Sequence, residues 1–230
     1  MPAESSSPSR ATELSRSSTD SLGSVLSIDH VIFVVEDLDH ASTALFEQHG
    51  LASVTGGRHA GHGTGNRIVP LGPSYLELMA VLDPVEAAGS PMGRWAAATE
   101  KPGLIPAAIC LRTEDADHEA QRLGLAAVPM SRTRPDGTVL SWRLVGVDEM
   151  FGPDRLPFFV EWEVEPEEHP GRVEAAHQVE PTGISAVELR GDTTLIVERL
   201  GDHVLPITVS KGKPGVASVV VTTTGGEIVL

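Results

Sequence analysis

The chain has 230 residues, 40% of them hydrophobic, and a formal net charge of −15. That length suits one large domain or two small ones, and the charge repels a phosphate backbone, which argues against nucleic-acid binding. No apolar run approaches the ~20 residues of a membrane span, the N-terminus lacks a hydrophobic secretory segment, and Cys110, the single cysteine, leaves no intramolecular disulfide to form; the expectation is a soluble cytoplasmic protein with no membrane partner.

Residues 1–24 are rich in Ser, with Pro and charged residues interspersed and no apolar periodicity, and are predicted to form a disordered tail. Residues 28–35 are a continuous β-branched and aromatic run and predict a strand. Asp37 is placed to cap a helix in which Leu38, Ala41, Ala44 and Leu45 recur at helical spacing, with Gly50 as its stop. Strands at 51–55, 66–71 and 75–82 follow, the first two separated by a loop from Gly56 to Gly65. Residues 25–83 therefore read as one β-α-β-β-β module.

Residues 84–103 read as a connector with a short helix around 93–99. The pattern then repeats over 104–164: a strand at 104–112, the stretch Thr113-Glu114-Asp115-Ala116-Asp117 echoing Val35-Glu36-Asp37-Leu38-Asp39, and a helix ended by Gly124. Strands at 126–131, 139–145 and 158–164 complete it, with Asp136-Gly137 as a hairpin turn. An acidic connector spans 165–182, and 183–230 read as a shortened third module whose helix, 193–200, is capped by Asp192. The predicted fold class is α+β, built of repeated βαβββ modules.

Two polar residues interrupt apolar strands: His30 in the first and Glu77 in the last strand of the first module. Burying either unpaired costs a few kcal/mol, and a shared divalent metal ion would remove that cost. Aligned by the strand-into-helix junction, His30 falls opposite Ala108; aligned by the last strand, Glu77 falls opposite Glu161, with Glu227 a looser match. His30, Glu77 and Glu161 are therefore the expected metal ligands, a set suited to Mn, Fe(II), Ni, Co or Zn.

The loop Gly56-Gly57-Arg58-His59-Ala60-Gly61-His62-Gly63-Thr64-Gly65-Asn66 is the second candidate. Its glycine spacing and the strand after it do not fit a dinucleotide fingerprint. Arg58 can clamp a carboxylate, and His59 or His62 can act as a general base or a further ligand. Trp142 is expected in the core or a pocket wall; because Arg143 follows it on a strand, the two point to opposite faces. His40, His49, His118, His169 and His203 receive no role.

Ile28-Asp29-His30-Val31 with Val35-Glu36-Asp37-Leu38, the Gly/His loop through Asn66, and Tyr75-Leu76-Glu77-Leu78 together resemble the vicinal oxygen chelate superfamily and its glyoxalase-like domain proteins. The resemblance implies βαβββ modules pairing into a cup-shaped mixed sheet, as in the glyoxalase, bleomycin-resistance and dihydroxybiphenyl dioxygenase folds, with metal ligands on the first and last strands. It implies His30, Glu77 and Glu161 as ligands; the residues themselves read as His59 and His62 for catalysis, and Arg58, Asn66 and Trp142 for substrate contact. Ala108 departs from the family pattern, in which a second imidazole often occupies that place. The implied function is a metal-dependent lyase, isomerase or dioxygenase acting on a small oxygenated metabolite; the alternative is a non-enzymatic small-molecule binding protein. A small-molecule ligand or substrate and a homodimer are the expected partners, the modules pairing either within one chain or across that dimer.

Overall fold

The computed structural model describes residues 25–133 and 139–230; the Ser-rich tail and the Asp136-Gly137 turn lie outside the described residues. The first module comprises β1 (Ser27–Val34), α1 (Leu38–His49), β2 (Val54–His59), β3 (Thr64–Pro70) and β4 (Tyr75–Val81). Two short helices, α2 (Pro84–Ala88) and α3 (Pro91–Thr99), follow. The second module comprises β5 (Pro106–Arg112), α4 (Ala116–Leu123), β6 (Ala127–Thr133), β7 (Val139–Val145), α5 (Val147–Phe151) and β8 (Phe158–Trp162). The last unit comprises β9 (Pro181–Gly191), α6 (Thr193–Leu200), β10 (Ile207–Lys211), β11 (Gly215–Thr223) and β12 (Gly226–Val229).

The helices begin and end where the side chains dictate. Asp37, Asp115 and Asp192 each accept a backbone N–H of the first turn of α1, α4 and α6. Gly50 and Gly124 close α1 and α4 in the left-handed conformation.

Eight strands form one mixed sheet in the order β2-β3-β4-β1-β5-β8-β7-β6. Within each module the first strand pairs in parallel with the last, β1 with β4 and β5 with β8, and antiparallel β1–β5 pairing joins the two modules. The sheet curls into a half-barrel of the α+β class expected, and both halves come from one chain.

Period-two alternation gives the sheet two faces. Val31, Phe33, Leu76, Leu78, Ile109 and Leu111 point outward and pack against Leu45 of α1 and Ala120 of α4. Ile32, Val34, Met79, Cys110, Phe158 and Val160 point into the cup, against Trp95 of α3 and Met150 of α5. Cys110 is fully buried there as a small core residue.

The segment read as a third module has the expected element order but not the expected pairing. Its sheet order is β10-β9-β11-β12, with the first strand parallel to the second and antiparallel to the third. It does not extend the cup. Instead Val187, Leu189, Val219 and Val221 join the outward-facing core of the large sheet.

Candidate metal and ligand site

The cup holds a cavity of about 450 Å³ walled by Trp95, Trp142, Trp162, Met79, Met92 and Phe158. Its polar floor is built from β1, β2, β3 and β4. Parallel pairing sets Ile32 beside Glu77 and His30 beside Tyr75, so His30 and Glu77 share the inner face. The His30 Nε2 lies 3.6 Å from Glu77 Oε2, and its ring stacks on Tyr75 with centroids 4.5 Å apart.

Asp29 orients His30. The β1–β5 register shifts between Ile28 and His30, and such irregularities re-aim side chains. Asp29 Oδ1 accepts from His30 Nδ1 at 2.7 Å. Asp29 Oδ2 accepts from Trp162 Nε1 at 3.0 Å, Arg112 Nε at 3.1 Å and His169 Nε2 at 2.9 Å. The His169 Nδ1 in turn accepts the Gly171 N–H. Burial pushes the Asp29 carboxyl up, but the hydrogen bonds from His169 and His30 and their charges overcome it and hold Asp29 well below the usual carboxylate range. With Nδ1 donating to this carboxylate, His30 directs its Nε2 into the cup.

His59 arrives from the other side. The glycine-rich segment expected as a loop is largely strand: His59 ends β2 opposite Thr64, and only residues 60–63 turn. The His59 Nε2 lies 3.7 Å from Glu77 Oε1, and its Nδ1 is 2.8 Å from Thr64 Oγ1. The Thr64 Oγ1 also lies 3.6 Å from Met92 Sδ; with its hydroxyl directed there, the His59 Nδ1 would donate to Thr64 and leave Nε2 as the acceptor. Burial lowers the His59 pKa against the opposing pull of Glu77, which favours the neutral ring.

The other expected residues divide. Asn66 lines the cup, but its Nδ2 donates to Glu77 Oε1 at 2.7 Å, so it holds the carboxylate. His62 lines the cavity, with a buried Nδ1 that has no partner. Arg58 stands at the mouth, largely exposed and 3.9 Å from Glu86. Trp142 faces the cavity against Trp162, while Arg143 points outward.

Glu161 is not in the cup, which corrects its expected role as a ligand. Its carboxylate accepts the Ala116 N–H at 2.8 Å and pairs with Arg143 at 2.6 Å, so it braces α4 on the outer face. The strand registers explain why. Ile32 pairs with Glu77 and Cys110 with Phe158, and Cys110 is the junction-aligned counterpart of Ile32. The structural counterpart of Glu77 is therefore Phe158, three residues before Glu161. The second module thus presents Ala108 and Phe158 where the first presents His30 and Glu77.

Two donor sets can be tested against a divalent ion. Asp29, His30 and Cys110 bring one ligand atom each within 4.8 Å of one another. Four hydrogen bonds already occupy Asp29, and burial, then the Asp29 and Glu77 charges, push the Cys110 thiol well above its ordinary value. That set fits poorly, because a thiol must lose its proton to ligate. The set His30, His59 and Glu77 fits: two imidazole Nε2 atoms face the two oxygens of one carboxylate, an arrangement that a shared divalent cation would satisfy.

The family model described as a glyoxalase-like domain matches residues 28–204. The chain belongs to this family. The match places it in the vicinal oxygen chelate superfamily and ends between α6 and β10. No curated protein matches the chain. Among solved structures, a hypothetical protein from Staphylococcus aureus is similar at 19% identity, over 86% of this chain and 91% of that one, with a TM-score of 0.64. Methylmalonyl-CoA epimerase from Streptomyces coelicolor, solved with 2-nitronate-propionyl-CoA, is 19% identical over 60% of this chain and 97% of that one, with a TM-score of 0.42. The methylmalonyl-CoA epimerase of Mycobacterium tuberculosis is 19% identical over 61% and 89%, with a TM-score of 0.41.

Proposed function

We propose that the chain is a metal-dependent enzyme that acts as a lyase, isomerase or dioxygenase on a small oxygenated metabolite held in the cup. The observation that carries this reading is the convergence of the His30 and His59 Nε2 atoms on the two oxygens of Glu77, at 3.6 and 3.7 Å, in the floor of a 450 Å³ cavity. These three residues would hold a divalent ion such as Fe, Mn, Ni, Co or Zn. Bound there, the ion supplies Lewis acidity that stabilises negative charge on a substrate oxygen.

The chain's own groups supply the rest. Asp29 fixes the His30 ring, and Asn66 fixes Glu77. The unpartnered Nδ1 of His62 is available to take or give a proton, and Trp142, Trp162 and Phe158 exclude water around an apolar substrate body.

The test is metal content and metal-dependent stability. Protein purified without chelator should carry a divalent ion, EDTA should lower its Tm, and Glu77→Gln should abolish both effects. An ion present at a concentration of a hundred times its Kd would stabilise by about 2.7 kcal/mol. Metal bound equally well by Glu77→Gln and His59→Ala would overturn the assignment.

The replacement of a second ligand pair by Ala108 and Phe158 favours one other reading, ligand binding without metal. It predicts apolar-ligand stabilisation that survives Glu77→Gln and falls in Trp142→Ala.

A further inference from the structure

A second cavity, of about 380 Å³, opens between the end of α3, the start of β5 and the small sheet, and shares no lining residue with the cup. In a chain of net charge −15, all three lysines, Lys101, Lys211 and Lys213, line it. Arg155 and Arg190 join them, and no carboxylate is among the lining residues. Arg190 is paired with Glu188 at 2.8 Å. Among the described residues no carboxylate pairs with the lysines or with Arg155. Five cations gathered in an acidic protein repel one another, and Lys101 is held below its ordinary range chiefly by neighbouring Lys213.

The local backbone is shaped to this gathering. Residues 212–214 connect β10 to β11 across the end of β9. A Cβ at Gly212 would lie 3.0 Å from Arg190 Cδ, so the glycine lets the arginine lie against the loop. Arg155 is the non-glycine residue with positive φ among those described, at 47°. Such a conformation is strained and persists where surroundings impose it. Its guanidinium donates to Thr99 Oγ1 at 3.1 Å, at the cavity wall.

We propose that this cavity binds a small phosphorylated molecule through a group bearing two or more negative charges, of which pyrophosphate is the simplest. Lysines supply point charges and arginines supply planar forks for phosphate oxygens. The site is separate from the cup and does not rest on the function proposed for it.

Pyrophosphate titrated at constant ionic strength should raise Tm saturably, while sodium chloride at matched ionic strength should not. The double variant Lys101→Gln/Lys213→Gln should weaken binding at least roughly tenfold, about 1.4 kcal/mol. Arg94→Gln, outside the cavity, should bind as the parent does. Glu77→Gln should also bind pyrophosphate undiminished, which separates this site from removal of a metal held in the cup. An equal shift from sodium chloride, or undiminished binding by a double variant whose unliganded Tm matches the parent, would overturn the proposal. So would co-sedimentation with phosphatidylserine vesicles in the absence of any response to pyrophosphate.

Discussion

Asp29 illustrates how much a single side chain can organise. It is fully buried and gathers His30, His169, Arg112 and Trp162 from four places in the chain. Asp29→Asn removes the charge while leaving Arg112 and both imidazoles in place. It should cost about 3 kcal/mol in urea unfolding, the usual penalty for breaking a buried ionic cluster. It should also weaken metal binding by roughly 10–100-fold, the typical effect of losing a group that orients a ligand. Nothing in the sequence marks Asp29 beyond its place beside His30, and His169 lies in a connector that carries no pattern. At the turn after β2, Gly63 has φ 65°, and an added Cβ would sit 2.3 Å from Ala87 N and 2.4 Å from Asp83 O. Both contacts are backbone, so Gly63→Ala must displace the turn from α2. The expected result is metal affinity reduced together with a lowered Tm, measured by calorimetry, because His59 and His62 flank the displaced segment.

Elements were legible where local chemistry sets them. Residues 193–200 are helical as predicted, between Asp192 and Gly201, because cap and stop are written in adjacent side chains. Register is another matter. The acid of the last strand repeats in sequence, yet hydrogen-bonded pairing aligns Glu77 with Phe158, and an odd offset of three sends Glu161 to the opposite face. The strand β2 also runs four residues further than expected, through both glycines to His59, since pairing with β3 overrides their weak strand preference. The connector before β9 offers a pH test. The Ala52 N–H donates to His177 Nδ1 at 2.9 Å, and burial lowers this imidazole below its ordinary 6.5. The folded state therefore favours the neutral ring. Its contribution is fully present above pH 6.5 and is lost as pH falls through the depressed value. Hydrogen-exchange protection of residues 173–181, taken relative to the intrinsic rate at each pH, should fall between pH 7.5 and 5.5, and His177→Leu should remove that dependence on pH.

For the whole molecule, the last unit serves as a brace. Arg122 of α4 pairs with buried Glu119 at 2.5 Å and donates to the Glu198 and Arg199 carbonyls at the end of α6, at 2.9 and 2.8 Å. This joins the second module to the small sheet. Arg122→Ala strands Glu119, 2% exposed, and leaves two helix-end carbonyls without their donor. It should cost about 3 kcal/mol in denaturant unfolding, and Glu119→Gln/Arg122→Ala should recover part of that loss by removing the stranded charge. The cup itself is complete within one chain, because β1 and β5 pair with each other.

Sequence alone determined the βαβββ modules, their helix caps, the family resemblance and the pair His30 and Glu77, because period-two burial and capping are local rules. Tertiary structure decided what completes the pair. His59 reaches Glu77 only through the β2–β3–β4 register, and Glu161 is lost to the cup through the β5–β8 register. It also decided that the last unit backs the sheet rather than repeating it, and that lysines about 110 residues apart meet in one cavity. These are long-range pairings, set by the burial of whole faces, and a linear pattern does not encode which face a distant strand will meet.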